Sequence, residues 1–129
     1  MKTLNVAAAV IKADHKILAT RRGYGEFTDM WEFPGGKIES GETSEDALIR
    51  EIEEELQIEI IPEKLITRVE YDYPHFHLSM DVFLCSIKKG IITLMEHNDA
   101  KWLSKDELDT VNWLPADLYV IKHLEANPF

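Results

Sequence analysis

Residues 36–58 place a high density of acidic side chains behind two adjacent glycines. Glu42 stands alone, Arg50 and Glu51 form a pair, and Glu54 and Glu55 follow at a short spacing. Crowded carboxylates repel one another, and hard divalent cations prefer oxygen ligands. A solvated Glu-rich helix surface is the simpler interpretation. The spacing favours a metal site, because it gathers several acids on one side of a helix.

The same segment has the pattern of an amphipathic helix over residues 45–56. Thr43 or Ser44 can supply the N-cap, and acidic residues follow near the positive end of the helix. Gly35 and Gly36 are predicted to form a turn that brings backbone carbonyls close to the helix. Four apolar residues share one arc at about 100° per residue and form the predicted buried stripe: Leu48, Ile49, Ile52 and Leu56.

Three acids lie on a different face of this helix. Glu51, Glu54 and Glu55 stand at positions i, i+3 and i+4, which are neighbours on a helix surface. Glu53 falls on the opposite flank of the apolar stripe and is predicted to be solvated. Arg50 lies one turn before Glu54 and is expected to pair with it. The helix therefore directs three carboxylates at one place.

This spacing resembles the Nudix box of the Nudix hydrolases. The matching positions are Gly36, five residues, Glu42, seven residues and then Arg50-Glu51-Ile52-x-Glu54-Glu55-x-x-Ile58. The family pattern carries a Gly where this chain has Gln57, at the position that usually ends the helix. Four further segments resemble the MutT-like branch of small nucleoside triphosphate pyrophosphohydrolases: residues 20–22, 31–37, 71–74 and 114–117. The resemblance covers nearly the whole chain.

The resemblance implies a metal-dependent reaction that converts a nucleoside triphosphate and water to the monophosphate and pyrophosphate. The implied cofactor is Mg²⁺, with Mn²⁺ as a possible substitute, because a metal neutralises phosphate charge and lowers the pKa of a bound water. Glu96 precedes the segment Trp102-Leu-Ser, where MutT-like enzymes carry a Glu that reaches the metal. The implied ligands are the Gly35 carbonyl and the side chains of Glu51, Glu54, Glu55 and Glu96.

The resemblance also implies roles for residues beside the metal. Arg50 would orient the acids. The general base would be Glu51, Glu54 or Glu96, and the sequence leaves all three open. The implied substrate-binding residues are Arg22, Lys37, Tyr73 and Asp117, with Lys37 holding a phosphate and Asp117 reading the nucleobase.

Asp117 leaves two substrates open. An ionised carboxylate only accepts hydrogen bonds, so it would face a cytosine amino group or the N–H and amino groups of a guanine. A carboxyl group whose pKa is raised by burial could also donate, which suits an oxidised purine. Both 8-oxo-dGTP and CTP satisfy these conditions, and the likeness of residues 71–74 to the MutT pattern favours 8-oxo-dGTP.

Two rival functions belong to the same family. A non-catalytic Nudix module would bind a nucleotide as a signal, but such modules typically lose an acid of the box, and all are present here. Hydrolysis of a nucleoside diphosphate sugar or a dinucleotide is disfavoured by the match outside the box and by the absence of extra domains. Release of pyrophosphate, rather than of two monophosphates, separates these activities.

The order of elements predicts a Nudix-type α/β/α sandwich on a mixed sheet, with a single domain over residues 1–129. The predicted strands are residues 4–11, 16–20, 31–33, 66–73, 78–87, 91–94 and 100–103, with a substrate-side loop at 74–77 and a tight turn at 88–90. Ser104 and Glu107 form a capping box that predicts a brief helix from Lys105. Pro115 sits in the first turn of a terminal helix, whose apolar face is predicted to contain Leu118, Ile121 and Leu124.

Charge and composition narrow the partners. The net charge is −10, and residues 37–59 alone contain nine acidic and two basic side chains. Such a surface repels nucleic acid, so no nucleic acid polymer is expected, and it repels a triphosphate unless divalent cations bridge the two. No apolar run reaches membrane-spanning length, and no secretory signal is visible. We therefore expect a cytoplasmic protein without a membrane partner, as a monomer or weak dimer.

The remaining reactive side chains are given structural interpretations. Cys85 cannot form an internal disulfide, because it is the only cysteine, and it is expected to be buried. The five histidines, at positions 15, 75, 77, 97 and 123, are expected on the surface or in loops because none has zinc-site spacing. The three tryptophans are expected in the core or at its rim.

Overall fold

A seven-stranded mixed sheet lies at the centre of the molecule in the computed structural model, which describes residues 1–129. The strands are β1 (Lys2–Ala13), β2 (Lys16–Arg22), β3 (Trp31–Glu32), β4 (Gly35–Lys37), β5 (Ile58–Tyr73), β6 (Phe76–Gly90) and β7 (His97–Leu103). The helices are α1 (Ser44–Leu56), a 3₁₀ helix (Lys105–Thr110) and α2 (Asp117–Ala126). None of the helices combines the length and the apolar character that a membrane-spanning helix requires.

Strand β1 organises the sheet. It runs parallel to β6 over residues 2–11, and β6 pairs antiparallel with β5. Strand β4 pairs antiparallel with β1, and β2 pairs antiparallel with both β3 and β7. The hairpin predicted between the first two strands is confirmed, although β1 and β2 pair only close to the turn.

Successive residues of β1 point into two separate hydrophobic cores, as the alternation of a strand requires. Ala8 and Val10 belong to the core covered by α2 and the 3₁₀ helix, whereas Ala9 and Ile11 belong to the core covered by α1. The sheet therefore has one helical layer on each face. This arrangement confirms the predicted α/β/α sandwich.

Several predicted elements are wrong in detail. Gly35 and Gly36 form β4 instead of a turn, because glycine lets this strand lie against the backbone of β1. Strand β5 begins at Ile58, and β6 continues through Gly90, so residues 88–90 are not a tight turn. The substrate-side loop predicted at 74–77 is only a turn at Pro74–His75, and β6 begins at Phe76.

The strand predicted at residues 91–94 is absent. The segment instead lies against the C-terminal end of α1. The Thr93 N–H donates to the Leu56 carbonyl at 2.9 Å, and the Met95 N–H donates to the Glu55 carbonyl at 3.0 Å. The carbonyls left unpaired at the C-terminus of α1 thus accept the N–H groups that would otherwise have bonded to a neighbouring strand.

The apolar face of α2 differs from the prediction. Leu118 is exposed, whereas Val120, Ile121 and Leu124 are buried.

Candidate active site

Helix α1 carries four of the candidate residues, and its ends are fixed by specific contacts. The Thr43 hydroxyl accepts a hydrogen bond from the Asp46 N–H at 3.1 Å, which confirms the predicted N-cap. The helix ends at Gln57, which adopts the left-handed conformation with φ 57° and ψ 34°. Its N–H donates to the Glu53 carbonyl at 2.9 Å, so Gln57 closes the helix in the conformation normally supplied by glycine.

The apolar stripe sets the rotation of α1. Leu48, Ile52 and Leu56 are fully buried against the sheet, and Ile49 is partly buried beside them. Glu53 is exposed on the other flank, as predicted. The three acids Glu51, Glu54 and Glu55 are therefore held towards the edge of this core.

Two glycines allow the backbone of β4 to approach the helix and the sheet. A Cβ atom on Gly35 would overlap the Ala7 carbonyl, and a Cβ atom on Gly36 would overlap the Glu51 carboxylate. Gly35 therefore requires glycine for space against the backbone of β1, and Gly36 lets the Glu51 side chain lie directly against it. The backbone of Gly36 lies beside Glu51 through a strand and not through the predicted turn.

Arg50 binds several acids at once. Its guanidinium donates to both carboxylate oxygens of Glu42, at 2.8 and 3.0 Å, and to Glu51 Oε1 at 2.8 Å. It also donates to the Lys37 carbonyl at 3.1 Å and to Glu54 Oε2 at 3.5 Å, which confirms the predicted pairing with Glu54. Arg50 and the Glu39 N–H together lower the pKa of Glu42 to about 2. Arg50 thus links the segment before α1 to Glu51.

The acids of α1 occupy different environments. Glu55 is buried, its Oε2 has no hydrogen-bond partner, and its pKa is raised to about 9 by burial and then by the neighbouring charges of Glu96 and Glu32. Burial also raises the pKa of Glu51, despite the opposing effect of Arg50. Glu54 has a 61% exposed side chain and projects into solvent. Only Glu55 is removed from water.

Glu96 lies beside this group of acids. The backbone contacts of residues 93 and 95 with the end of α1 bring it there, and it immediately precedes β7. The Tyr24 hydroxyl donates to Glu96 Oε1 at 3.1 Å. The charge of Glu96 contributes to the raised pKa values of both Glu51 and Glu55, which supports the expected proximity.

Two site residues were missed by the sequence analysis. Glu32 accepts hydrogen bonds from Arg22 Nη1 and from His97 Nε2, each at 3.0 Å. His97 Nε2 is also 3.7 Å from Glu55 Oε1. His97 is buried, so its expected place on the surface or in a loop is wrong. Two signals were available in the sequence. Glu32 is a charged residue between the aromatic residues Trp31 and Phe33, and His97 directly follows Glu96.

These residues line a cavity of about 560 Å³, a volume suited to a small organic ligand. Its lining includes most of the predicted site residues: Arg22, Gly35, Lys37, Glu51, Glu55, Tyr73, Glu96 and Asp117. Arg50 and Glu54 do not line it; Arg50 lies behind Glu51, and Glu54 faces solvent. Leu4, Val6, Phe27, Phe76, Leu78 and Met80 supply apolar walls.

Asp117 and Tyr73 lie at the part of the cavity formed by the start of α2. Asp117 is fully buried, and its pKa is raised well above its usual range by burial and by the charge of Glu32, against a smaller lowering effect of Arg22. The Tyr73 hydroxyl accepts a hydrogen bond from the Ala116 N–H at 3.2 Å. Tyr73 thereby fixes the backbone just before Asp117, and its ring packs against Phe27 and Phe76.

The acids fit a hard divalent cation by their chemistry. They supply only oxygen donors, and Glu55 presents a buried oxygen without a protein partner. No three acidic or imidazole side chains converge in the arrangement of a preformed metal site. Arg50 binds Glu51 and Glu54, whereas Tyr24 binds Glu96, so different partners hold these acids.

Known proteins share both the sequence pattern and the fold. The sequence model of the NUDIX domain family matches residues 1–124 of this chain. An 8-oxo-dGTP diphosphatase of Escherichia coli is 34% identical over 127 residues, covering 97% of this chain and 98% of its own. A CTP pyrophosphohydrolase of the same organism is 31% identical over 127 residues, covering 98% and 94%.

A solved structure extends the likeness to three dimensions. It is the solution structure of the DNA mismatch repair protein MutT, of the Nudix hydrolase family, from methicillin-resistant Staphylococcus aureus 252. It superposes with a TM-score of 0.77 at 39% identity, covering 98% of each chain. The chain therefore belongs to the Nudix family, and within it to the MutT-like hydrolases. Hydrolases of this family generally require a divalent metal ion.

Proposed function

We propose that this protein is a Mg²⁺-dependent nucleoside triphosphate pyrophosphohydrolase whose substrate is 8-oxo-dGTP. Water adds to a phosphorus of the triphosphate, the bridging P–O bond between the α- and β-phosphates breaks, and the products are the monophosphate and pyrophosphate. The choice of nucleobase rests on one observation: Asp117 is a buried carboxyl group with a raised pKa in the wall of the cavity.

The metal would be held by Glu51, Glu54, Glu55 and Glu96 together with the Gly35 carbonyl. When bound, it would neutralise phosphate charge and increase the acidity of a water molecule. Arg50 would keep Glu51 in place through the 2.8 Å hydrogen bond between them. The proton of the attacking water would pass to Glu51, Glu54 or Glu96, three candidates among which the contacts do not choose. Glu55 is not among them, since its carboxylate is the most deeply buried.

The substrate would lie along the cavity between the acids and the start of α2. Lys37 is exposed at its wall and would bind a phosphate, and Arg22 would contribute a second positive charge. Apolar side chains on the sheet would pack against the nucleoside. Tyr73 would act indirectly, because its hydroxyl already binds the backbone ahead of Asp117.

Asp117 would recognise the nucleobase in its protonated form. A carboxyl group with a raised pKa both donates and accepts hydrogen bonds. An oxidised guanine offers donors and acceptors on adjacent positions, so a protonated Asp117 complements it. The similarity to an 8-oxo-dGTP diphosphatase over nearly the full length supports this choice.

CTP is the second candidate substrate. It is supported by the 31% identity to a CTP pyrophosphohydrolase, which also spans nearly the full length of both chains. An ionised Asp117 would accept a hydrogen bond from the cytosine amino group. Thymidine and uridine triphosphates lack that amino donor and are expected to be poor substrates.

A substrate screen tests the proposal directly. The purified protein is incubated with Mg²⁺ and 8-oxo-dGTP, dGTP, CTP, dCTP, UTP or dTTP, and pyrophosphate release is measured. We expect the highest kcat/KM with 8-oxo-dGTP, and no activity in excess chelator. A preference for CTP would transfer the assignment to the second candidate. Binding without pyrophosphate release would identify a non-catalytic module, and release of two monophosphates would identify a different hydrolase.

Two variants of Asp117 test base recognition. Asp117→Asn keeps a donor and an acceptor at every pH, so it should retain the preference for 8-oxo-dGTP. Asp117→Ala removes both and should lower discrimination between bases while leaving the half-saturating Mg²⁺ concentration nearly unchanged. If Asp117→Ala kept the substrate ranking of the parent protein, the role of Asp117 in base recognition would be abandoned.

A further inference from the structure

A bridge of buried polar contacts links Arg22 to Glu55: two hydrogen bonds to Glu32 and one longer contact between His97 and Glu55. One oxygen of Glu32 accepts from Arg22 and the other from His97, each at 3.0 Å. The same His97 nitrogen, Nε2, lies 3.7 Å from Glu55 Oε1. The side chains of His97 and Glu55 are only 3% and 6% exposed. The bridge therefore runs from a cation on β2 to a buried acid on α1.

The contacts place a hydrogen on Nε2 of His97. This nitrogen lies 3.0 Å from a Glu32 oxygen, which accepts the hydrogen bond. Its Nδ1 is buried without a partner.

The bridge also determines how Glu55 is presented. Oε1 of Glu55 is the oxygen near His97, whereas Oε2 has no hydrogen-bond partner although it is buried. His97 thus occupies one side of the carboxylate and leaves the other side available. At the opposite end, Glu32 holds the Arg22 guanidinium by a direct ion pair.

We propose that Glu32 and His97 are positioning residues: His97 orients Glu55 so that Oε2 faces the metal, and Glu32 holds both His97 and the substrate-binding Arg22. This inference rests on the metal site proposed above. Polar residues that contact metal ligands fix the orientation of those ligands, and the loss of such residues typically lowers metal affinity by about 10- to 100-fold. Neither residue needs to touch the metal or the substrate.

Two substitutions of His97 separate hydrogen bonding from packing. In His97→Gln the side-chain amide can place an N–H near the position of Nε2. His97→Met has a similar volume but no donor. Mn²⁺ binding without nucleotide is measured from the electron paramagnetic resonance signal of the free ion. We expect His97→Met to bind Mn²⁺ about tenfold or more weakly than wild type, and His97→Gln to recover most of the affinity.

A second pair of variants keeps the test independent of core packing. Glu32→Gln can accept from only one of its two donors, so it breaks the bridge, whereas Glu39→Gln removes an acid that lines the cavity away from the bridge. Glu32→Gln should weaken Mn²⁺ binding and raise KM for the nucleotide more than Glu39→Gln does. This pair decides the question if His97→Met does not fold, as judged by circular dichroism.

The tautomer provides a test on the wild-type protein. Two-dimensional ¹H–¹⁵N spectra of the imidazole should show hydrogen on Nε2 of His97, and its resonance should shift when Mg²⁺ is added. The absence of a hydrogen on Nε2 would overturn the proposal, as would His97→Gln binding Mn²⁺ as weakly as His97→Met, or Glu32→Gln behaving like Glu39→Gln. Wild-type protein that bound no Mn²⁺ would instead refute the metal site, and the bridge with it.

Discussion

At the residue scale, identical side chains differ sharply in environment. The side chains of Glu51, Glu54 and Glu55 are 19%, 61% and 6% exposed, although they share one face of α1. Helical spacing explains why they lie together, and Glu55 is the one that lies beside the buried His97. The buried Glu55 requires a counter-charge when it ionises.

Glu54 provides the first test of the metal site. Glu54→Gln should lower turnover by roughly two orders of magnitude or more, the scale of a lost catalytic group. Glu53→Gln is the matched control, because the Glu53 side chain is solvated and points away from the other acids. Steady-state pyrophosphate release at saturating Mg²⁺ measures both. A large loss in Glu53→Gln would contradict the assignment of the acidic face.

Asp117 should make stability depend on pH. Its pKa is raised in the folded state, so above about pH 4, the ordinary pKa of an unfolded Asp, the folded protein binds a proton that the unfolded chain does not. Its contribution to stability is therefore present at low pH and is lost as pH rises through the raised pKa. Asp117→Asn lacks this dependence, and its stability relative to wild type should increase between pH 5 and pH 8.

Urea unfolding in the presence of a chelator measures that difference. The other titrating groups are common to both proteins and cancel in the comparison. Parallel stability curves for wild type and Asp117→Asn across this range would show that Asp117 is ionised in the folded protein. The base-recognition scheme would then favour a cytosine substrate.

The sequence alone was sufficient to predict the positions of residues that depend on local spacing. The cap at Thr43, the buried stripe and the solvated Glu53 depend only on helix geometry, and all three predictions are confirmed. Glu32 and His97 depend on contacts between strands distant in sequence, which no local pattern encodes. Their hydrogen bond joins residues 65 positions apart.

At the scale of elements, the end of α1 departs from an ideal helix terminus. Gln57 adopts a left-handed conformation, which costs a residue with a side chain about 1–2 kcal/mol. The protein tolerates this cost because the Gln57 N–H and the backbone of residues 93 and 95 satisfy the last carbonyls of the helix. The same contacts explain why residues 91–94 do not form the predicted strand.

Gln57→Gly should stabilise the protein. Glycine removes the conformational cost but loses more entropy on folding, by roughly 0.5–1 kcal/mol, so a net gain of about 0.5 kcal/mol is expected. The urea midpoint should rise with an unchanged slope, and Gln57→Ala should show no such gain because alanine keeps the Cβ. A lower midpoint in Gln57→Gly would show that the Gln side chain makes a compensating contribution.

At the scale of the whole molecule, β1 is shared by two cores. Its residues 7–11 are buried on both faces of the sheet, and it is hydrogen-bonded to β6 along most of its length. Strand β5, in contrast, forms an edge with three irregularities in its pairing and with exposed Ile61 and Leu65. The two halves of the sandwich therefore cannot separate without exposing β1.

Native-state hydrogen exchange should reflect this arrangement. The amides of Ala8 and Val10 should exchange only through global unfolding, with the free energy found from urea denaturation. Amides near Ile61 should exchange through smaller openings of the edge. Exchange of the β1 amides at a free energy well below the global value would contradict the shared-core description.

The attachment of residues 93 and 95 to the end of α1 has a consequence for biosynthesis. During translation the helix acids leave the ribosome well before Glu96, and β6 lies between them in the chain. The segment carrying Glu96 bonds to the Glu55 and Leu56 carbonyls, so it can dock only after β6 has emerged. A nascent chain therefore displays a negatively charged helix with an unfinished terminus until late in synthesis, and a chain released before that point lacks both the closing contacts and the last acid.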